Sequence, residues 1–385
     1  MPRFFEKVGV RSPKYSAFDL SHERKLSMNM GKLVPILLEE VVPGDKFHCA
    51  TELMARMAPM LSPIQHRVNV FVHYFFVPSR LIWDEWEDFI TGGRLGNSAP
   101  TFPKIQFGGT TGDAINEGDL ADYLGLPLVA ANTTHPVIAS ELPFRAYQLI
   151  FNEYYRDQNL KEEVDITAKG EQMTLRDRAW EKDYFTSCLP FAQRGPQVDM
   201  PIDFVYSDVS LVKESDGDNP PTGAALRTDP LLPGELNVTG GAPGQARIEN
   251  LETDGVTISI NDLRQSSALQ RWLEKQARGG ARYIETILSH FGVKSSDARL
   301  QRPEYLGGGR QPMVISEVLN TTGTAEAPQG EMAGHGISVG AVNEFTRRFE
   351  EFGYVLGIMS VLPRTSYQQG IPRTFQKFDK HDYYW

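Results

Sequence analysis

Cysteine is scarce in this chain: Cys49 and Cys188 are the only two. Far apart and without a secretion signal ahead of them, they exclude a disulfide framework and read as reduced core residues. Long hydrophobic runs are missing as well. No stretch approaches the roughly 20 apolar residues of a membrane span, so no membrane insertion is expected. The N-terminal "MPRFFEKVGVRSPKYS" lacks the apolar stretch of a signal peptide, and an intracellular product is expected. The eight histidines show neither HExxH nor a pairing with cysteine at zinc spacing, so no metal and no cofactor is expected. Finally, the regular strand–helix alternation of a doubly wound sheet is absent.

What is present is 385 residues of ordinary globular composition, 41% hydrophobic and 23% charged, with an uneven charge. The formal net charge is −10. Residues 1–33 nevertheless carry seven basic side chains (Arg3, Lys7, Arg11, Lys14, Arg24, Lys25, Lys32) against three acidic ones. Residues 207–252 carry eight acids, among them Asp208, Glu214, Asp216, Asp218, Asp229 and Glu235, against three basic residues. Opposite signs at two places suggest a molecule that meets two different environments.

Periodicity points to strands separated by long connections. From Val68 to Val77, "VNVFVHYFFV", one face of an extended chain carries Val68, Val70, Val72, Tyr74 and Phe76; the other carries Phe71, His73, Phe75 and Val77. Both faces are apolar, so something must cover both. The pattern then changes, and Trp83, Trp86 and Phe89 form the stripe of a short helix closed by Gly92 and Gly93. "KLVPILLEEVV" (32–42) reads as an edge strand, because Pro35 cannot donate to a ladder. "KFHCATELMARM" (46–57) alternates, and "YVLGIMSVLP" (354–363) is a third strand-like run. Helices are expected at 143–158, with Ser140 as N-cap, at about 261–278, at 281–292 and from near Ala341, where Phe345, Phe349 and Phe352 recur. Residues 92–142 read as a connection, and 207–252, rich in Gly and Pro, as an elaborated loop.

No catalytic constellation survives inspection. "GISVG" (336–340) matches a nucleophile elbow, and a helix is expected after it, but "PQGEMAGH" ahead of it supplies no buried strand for Ser338. "GGGR" (307–310) lacks the Lys-Ser/Thr of a phosphate loop and reads as a flexible turn. Asp84, Glu85, Glu87 and Asp88 lie on the polar side of their helix, and His73 reads as a core or interface histidine. The C-terminal "RTSYQQGIPRTFQKFDKHDYYW" differs. Arg364, Arg373, Lys377 and Lys380 interleave there with Tyr367, Phe375, Phe378, Tyr383, Tyr384 and Trp385. Such a stretch suits single-stranded nucleic acid, or equally an arm whose rings meet a neighbouring subunit.

Several blocks resemble one family. They are "FDLSHERKLSMNMGKLVPILLEEVVPGDKF" (18–47), the strand at 68–77, "DYFTSCLPFAQRGP" (183–196), "RGGARYIETILSHFGVKSSDARLQRPEYLGGG" (278–309) and "SYQQGIPRTF" (366–375). In order and over most of the chain, they are similar to the major capsid protein of Microviridae, small icosahedral single-stranded-DNA bacteriophages, the gokushovirus-like branch above all. The resemblance implies a mainly β protein, an eight-stranded antiparallel jelly roll of the viral capsid type with long insertions containing several α-helices. It implies a basic, irregular arm at 1–32, one capsid domain over 33–385 with insertions at about 95–140 and 205–255, and a further family segment beyond a "YYW" like that at 383–385. It implies no enzyme, but a virion protein assembled in the host bacterial cytoplasm.

The partners implied are further copies of the chain, forming pentamers and a T=1 shell, and the packaged circular single-stranded DNA. A small basic DNA-binding protein, an internal scaffolding protein, a DNA pilot protein and a host-cell surface receptor complete the set. Arg3, Lys7, Arg11 and Lys14, with Arg364, Arg373, Lys377 and Lys380, are the expected DNA-facing residues. Trp83, Trp86, Tyr367, Phe375, Tyr383, Tyr384 and Trp385 are the expected inter-subunit residues. The acidic loop is expected outside, where it would not repel DNA, either as a host-attachment spike or as a spacer between shells. The alternative function is a lectin-like jelly roll that binds glycans on exposed Trp83 and Trp86.

Overall fold

The computed structural model describes residues 16–58, 64–110, 112–199, 259–280, 282–294, 301–319, 332–367 and 370–383, and four short strands between 211 and 249. The elements run β1 (Val34–Val41), β2 (Lys46–Arg56), β3 (Val68–Pro78), α1 (Trp86–Thr91), β4 (Lys104–Phe107), α2 (Leu120–Tyr123), β5 (Val137–Ser140), α3 (Leu142–Ile150) and α4 (Lys169–Gln172). Then follow β6 (Leu211–Lys213), β7 (Leu226–Thr228), β8 (Leu236–Val238), β9 (Arg247–Glu249), α5 (Ile260–Gly279), α6 (Tyr283–Phe291), β10 (Glu304–Leu319), β11 (Met332–Arg348) and β12 (Gly353–Pro363). They fall into two units, Met1–Cys188 with Ser296–Trp385, and Leu189–Ser295.

The first unit is built on an antiparallel sheet in the order β1–β12–β3–β10–β11–β2. β10 is its corner: Glu304–Met313 pairs with β3, while Val314–Leu319 pairs with β11. β1 and β2 stand at opposite ends of this order, yet only residues 42–45 join them. Five inter-strand steps would hold them about 24 Å apart in a flat sheet. The chain from Val41 to Lys46 reaches at most about 18 Å. The sheet must therefore curl, and two contacts show that it does. Tyr74 on β3 donates its hydroxyl to Thr51 on β2, three strands away in the ladder. The turn after β1 is tied to the end of β11, Gly44 N donating to Phe349 O (2.8 Å) and Phe349 N to Asp45 O (2.9 Å). The fold is mainly β, a jelly-roll-type arrangement with insertions.

The two apolar faces of β3 enter two different cores. Val68, Val70, Val72, Tyr74 and Phe76 turn inward to meet Val355, Met359 and Val361 of β12, Met313 of β10, and Phe345 and Phe349. Half-buried Phe47 and Leu53 of β2, with Met57 just after it, close this space. Burial pushes the Tyr74 hydroxyl up to about 12. Phe75 and Val77 turn outward and are covered by the long connection after β3, through Ile82, Trp83, Ile105, Phe107, Leu142, Phe144, Tyr147 and Ile150. Phe71 is capped by the Arg178 guanidinium, 4.0 Å from its ring centre. Tyr147 locks the cover in place: its hydroxyl donates to Leu33 O (2.8 Å) and accepts from Arg176 N (3.0 Å).

Local signals account for most boundaries. Pro35 sits on edge strand β1, beside a register shift between Pro35 and Leu37. β2 forms the other edge and alternates between exposed and half-buried residues along its whole length. Gly92, at φ 79°, closes α1, but that helix starts only at Trp86, behind a 3₁₀ turn at Ser79–Leu81. The Ser140 hydroxyl accepts from Leu142 N (3.2 Å) at the start of α3, and the last turn widens into a π-helix over Phe151–Tyr155. Asp84, Glu85, Glu87 and Asp88 are solvated.

Three expectations are corrected. The helix expected from near Ala341 is the second half of β11, which pairs with β2. Phe345 and Phe349, four residues apart, satisfy both a helical and a strand period, and the inward position beside Tyr74 decides for the strand. "GISVG" is accordingly mid-strand, and the Ser338 hydroxyl is buried and donates to Pro312 O (3.1 Å). "GGGR" is no flexible turn but part of β10 against β3. A Cβ on Gly308 would lie 2.4 Å from Val72 O and 2.8 Å from the Tyr305 hydroxyl, so the close approach of strands requires glycine there. Of the two thiols expected in the core, Cys49 is half-buried and Cys188 is exposed.

In the second unit, Ser259 caps α5 by accepting from Asn261 N (3.2 Å). α5 and α6 cross so closely at Gly279 that a Cβ there would meet Ser289 Cβ at 2.5 Å. β6 pairs with β9 and β7 with β8, both antiparallel.

Candidate functional site

Three regions bear on the expected site residues. The first is the C-terminal stretch. Leaving β12, Arg364 N donates to Arg67 O (2.7 Å), which sets Arg67 and Arg364 side by side at the end of the β3–β12 pair. His66, Arg67 and Arg364 are all exposed. Sequence reading missed Arg67, because its pairing with Arg364 exists only once β3 and β12 are neighbours. Farther on, two 3₁₀ turns, Arg373–Gln376 and Lys380–Tyr383, carry Arg373 and Lys380, and Lys377 follows the first of them. The Lys377 ammonium lies 4.8 Å from the Tyr383 ring centre. Asp382 accepts from the backbone N–H groups of Phe378 and Asp379, both 2.9 Å, and these bonds hold its carboxyl below the usual range, with Lys377 and Arg373 adding to the effect. Tyr367, Phe375, Phe378 and Tyr383 are all exposed, Phe378 by 89%.

The other two stretches expected to expose rings differ. In 66–93 and 143–158 the only exposed Phe, Tyr or Trp is Phe89. Trp83, expected between subunits, is 7% exposed and touches Trp86, Phe89 and Phe102 of its own chain. It is spent on the core and offers a glycan no platform. Trp86 is half-buried and also meets Phe352.

The second region is the turn after Trp180. Asp183 Oδ1 accepts from Phe185 N (2.9 Å), Thr186 N (2.8 Å) and the Thr186 hydroxyl (2.9 Å). Its Oδ2 accepts from the hydroxyls of Thr365 (3.2 Å) and Tyr367 (2.8 Å). These bonds, those from Thr186 first, hold the carboxyl at about 2. The turn is thereby fastened to the chain leaving β12, and Phe185 lies 4.5 Å from Tyr367, ring centre to ring centre. The Asp-x-x-Thr spacing within "DYFTSC" was a readable turn signal, though it does not reveal the partner 184 residues away.

The third region is the acidic insertion. Leu211–Lys213 pairs with Arg247–Glu249, and Leu226–Thr228 with Leu236–Val238, so the second ladder is nested inside the first. Asp208, Glu214, Asp216, Asp218, Asp229 and Glu235 lie outside the described residues, as do Arg3, Lys7, Arg11, Lys14, Tyr384 and Trp385. Among the described residues no group of His, Cys, Asp and Glu is arranged to hold a metal, and no helix is long and apolar enough to cross a membrane.

A curled sheet with a covered outer face, a C-terminal stretch of exposed rings and a nested insertion make a shell subunit the natural comparison. The family model described as "Capsid protein (F protein)" matches residues 9–385. The chain belongs to that capsid protein family. It is 32% identical to capsid protein VP1 of Chlamydia phage 1, across the whole chain and 77% of that relative. It is 32% identical to capsid protein VP1 of Bdellovibrio phage phiMH2K (96% of the chain, 73% of the relative) and 31% to that of Spiroplasma virus 4 (95% and 73%). Membership in this Microviridae family makes the chain a structural virion component that associates with its own kind, not an enzyme. It also explains why β3 needs two apolar faces: one fills the sandwich, and the other seats the insertion that thickens the subunit.

Proposed function

We propose that the chain assembles, through pentamers, into a T=1 icosahedral shell around a circular single-stranded DNA genome in the host bacterial cytoplasm. The observation that carries this reading is the C-terminal stretch, where every described ring is exposed between basic residues. An isolated subunit gains nothing from exposing them; a shell provides both neighbours to bury rings and phosphates to meet arginines. Arg67, Arg364, Arg373, Lys377 and Lys380, with Arg3, Lys7, Arg11 and Lys14, face the interior. A small basic DNA-binding protein shares that duty, and scaffolding and pilot proteins act during assembly. Residues 33–385 act as one capsid domain in which 189–295 is an insertion. Its acidic part projects outward and contributes to host attachment through a surface receptor. The nested antiparallel pairing supports this, since it suits a stalk that leaves and re-enters at neighbouring points.

Electron microscopy of the purified protein tests assembly: shells or pentamers are expected, and discrete monomers at all concentrations overturn it. Replacing residues 212–246 with a short Gly-Ser linker tests the insertion. Intact shells that no longer adsorb to host cells are expected, and normal adsorption leaves the loop a mere spacer.

A further inference from the structure

The turn at 183–188 presents an unusual combination. Tyr184 is 72% exposed, Phe185 58% and Tyr367 53%, and Trp180, three residues before Asp183, is half exposed. Exposed aromatic side chains on a loop ordinarily wander. Here one carboxylate accepts five hydrogen bonds and ties the backbone beneath them to the chain leaving β12. The turn is further braced by the Thr186 hydroxyl, which accepts from Asp183 N (2.7 Å), and by Lys182, which is paired with Asp157. Phe185 stands edge-on to Tyr184, with ring centres 5.4 Å apart, and leans on Tyr367. Tyr184, Phe185 and Tyr367 form a continuous cluster drawn from two distant parts of the sequence.

We propose that this cluster is a preformed contact by which one copy of the chain grips a second, with Asp183 as its positioning residue. The inference rests on the assembly reading above. Three considerations choose a second copy as the occupant. The family is one of shell subunits, so like neighbours are the partner always present. The exposed parts of Tyr184, Phe185 and Tyr367 amount to roughly 370 Å², taking about 200 Å² for each aromatic side chain. That is nearly half of the about 800 Å² per partner of a standard interface, and a patch of the size that on a monomer surface is often functional. Rigid rings lose little entropy on association, which is what makes anchored aromatics the centres of interfaces. Asp183 also links this contact to the C-terminal stretch, because Tyr367 belongs to both.

The test uses the full chain and measures the threshold concentration for particle formation by sedimentation and electron microscopy, with circular dichroism and thermal unfolding of the unassembled subunit alongside. The double variant Tyr184→Ser, Phe185→Ser keeps the backbone donors to Asp183 and is expected to raise the threshold about tenfold or more, with unchanged unfolding. Tyr184→Phe with Phe185→Tyr keeps the rings and is expected to assemble as the wild type does. Asp183→Asn is expected to fall between them, since it weakens the tether without removing a ring. A double serine variant that assembles at the wild-type concentration overturns the proposal. So does one that assembles normally but packages less DNA, because the rings then face nucleic acid. A wild-type chain that stays monomeric defeats the assembly reading instead, and is distinguished by needing no variant.

Discussion

β3 and the C-terminal stretch 364–383 contain similar residues and use them in opposite ways. Each mixes aromatic and polar side chains at close spacing. In β3 nearly every ring is buried, on one side by the sandwich and on the other by the connection that follows. In 364–383 every described ring is exposed. An aromatic content of itself says nothing about where a ring goes; what decides is whether the same chain supplies a second surface. β3 lies between β12 and β10 in the sheet and beneath α3, whereas the C-terminal stretch leaves the sheet after its last strand. The first region should govern stability of the subunit, and the second its association.

The largest effect that would break this contrast is expected at Phe75. It is buried among Tyr154, Tyr155 and Tyr305, so Phe75→Ala should cost about 3–5 kcal/mol in denaturant unfolding of the subunit. A loss below 1 kcal/mol would mean that the outer core is not cooperative with the sheet.

His73, its neighbour on the outer face, gives the next effect. Its Nδ1 shares a hydrogen bond with the Tyr155 hydroxyl (2.8 Å), and Tyr305 and Arg178 close around it. Burial, and secondarily Arg178, lower its pKa from 6.5 to about 4. As pH falls below 6.5, the unfolded chain takes up a proton that the folded chain refuses. Stability should therefore decline from pH 6.5 to about 4 and level off below, a loss of roughly 3 kcal/mol from this group. His73→Phe should flatten that part of the profile, and an unchanged slope would assign it to other groups.

Tyr147→Phe comes third. Removing the hydroxyl leaves the buried carbonyl of Leu33 and N–H of Arg176 without that partner, at a cost of about 1–3 kcal/mol. Equilibrium unfolding measures it, and a neutral result would show that water replaces the hydroxyl.

The smallest stability effect is expected in the exposed region, where reversing Arg364, Arg373 and Lys377 to Glu should change subunit stability by less than about 0.5 kcal/mol for each. The same variant should package less DNA and bind single strands with a shallower salt dependence. Unchanged nucleic-acid content in purified particles would remove the DNA-facing role of this stretch.

Much of this was legible in the residues. The alternation in 68–77 named both faces of β3 correctly, Pro35 marked an edge, and Gly92 marked a helix end. The misreadings share one cause. Phe345 and Phe349 fit two periods, and "GGGR" looks like a turn until Val72 and His73 lie against it. In both places the deciding neighbour is more than 200 residues away. The same limit hid Arg67 and Asp183, whose partners arrive from after β12. Trp83 was misassigned because a tryptophan on a stripe looks equally apt for a core or an interface, and only Phe102 and Phe89 around it settle the choice.

The curled sheet also sets a timetable for synthesis. β1 is bonded along its length to β12, Val34 facing Met359, 325 residues later. At about 5–20 residues per second, a ribosome needs roughly 15–65 s between making the two strands. Throughout that interval β1 has no sheet neighbour, and β3 has none until β10 is made and lacks β12 until the end. The apolar faces of β3 stay without their sheet partners until β10 and β12 are made, so the nascent protein is most prone to aggregate before those strands emerge. A helper that shields those faces during translation would act on yield rather than on the finished shell.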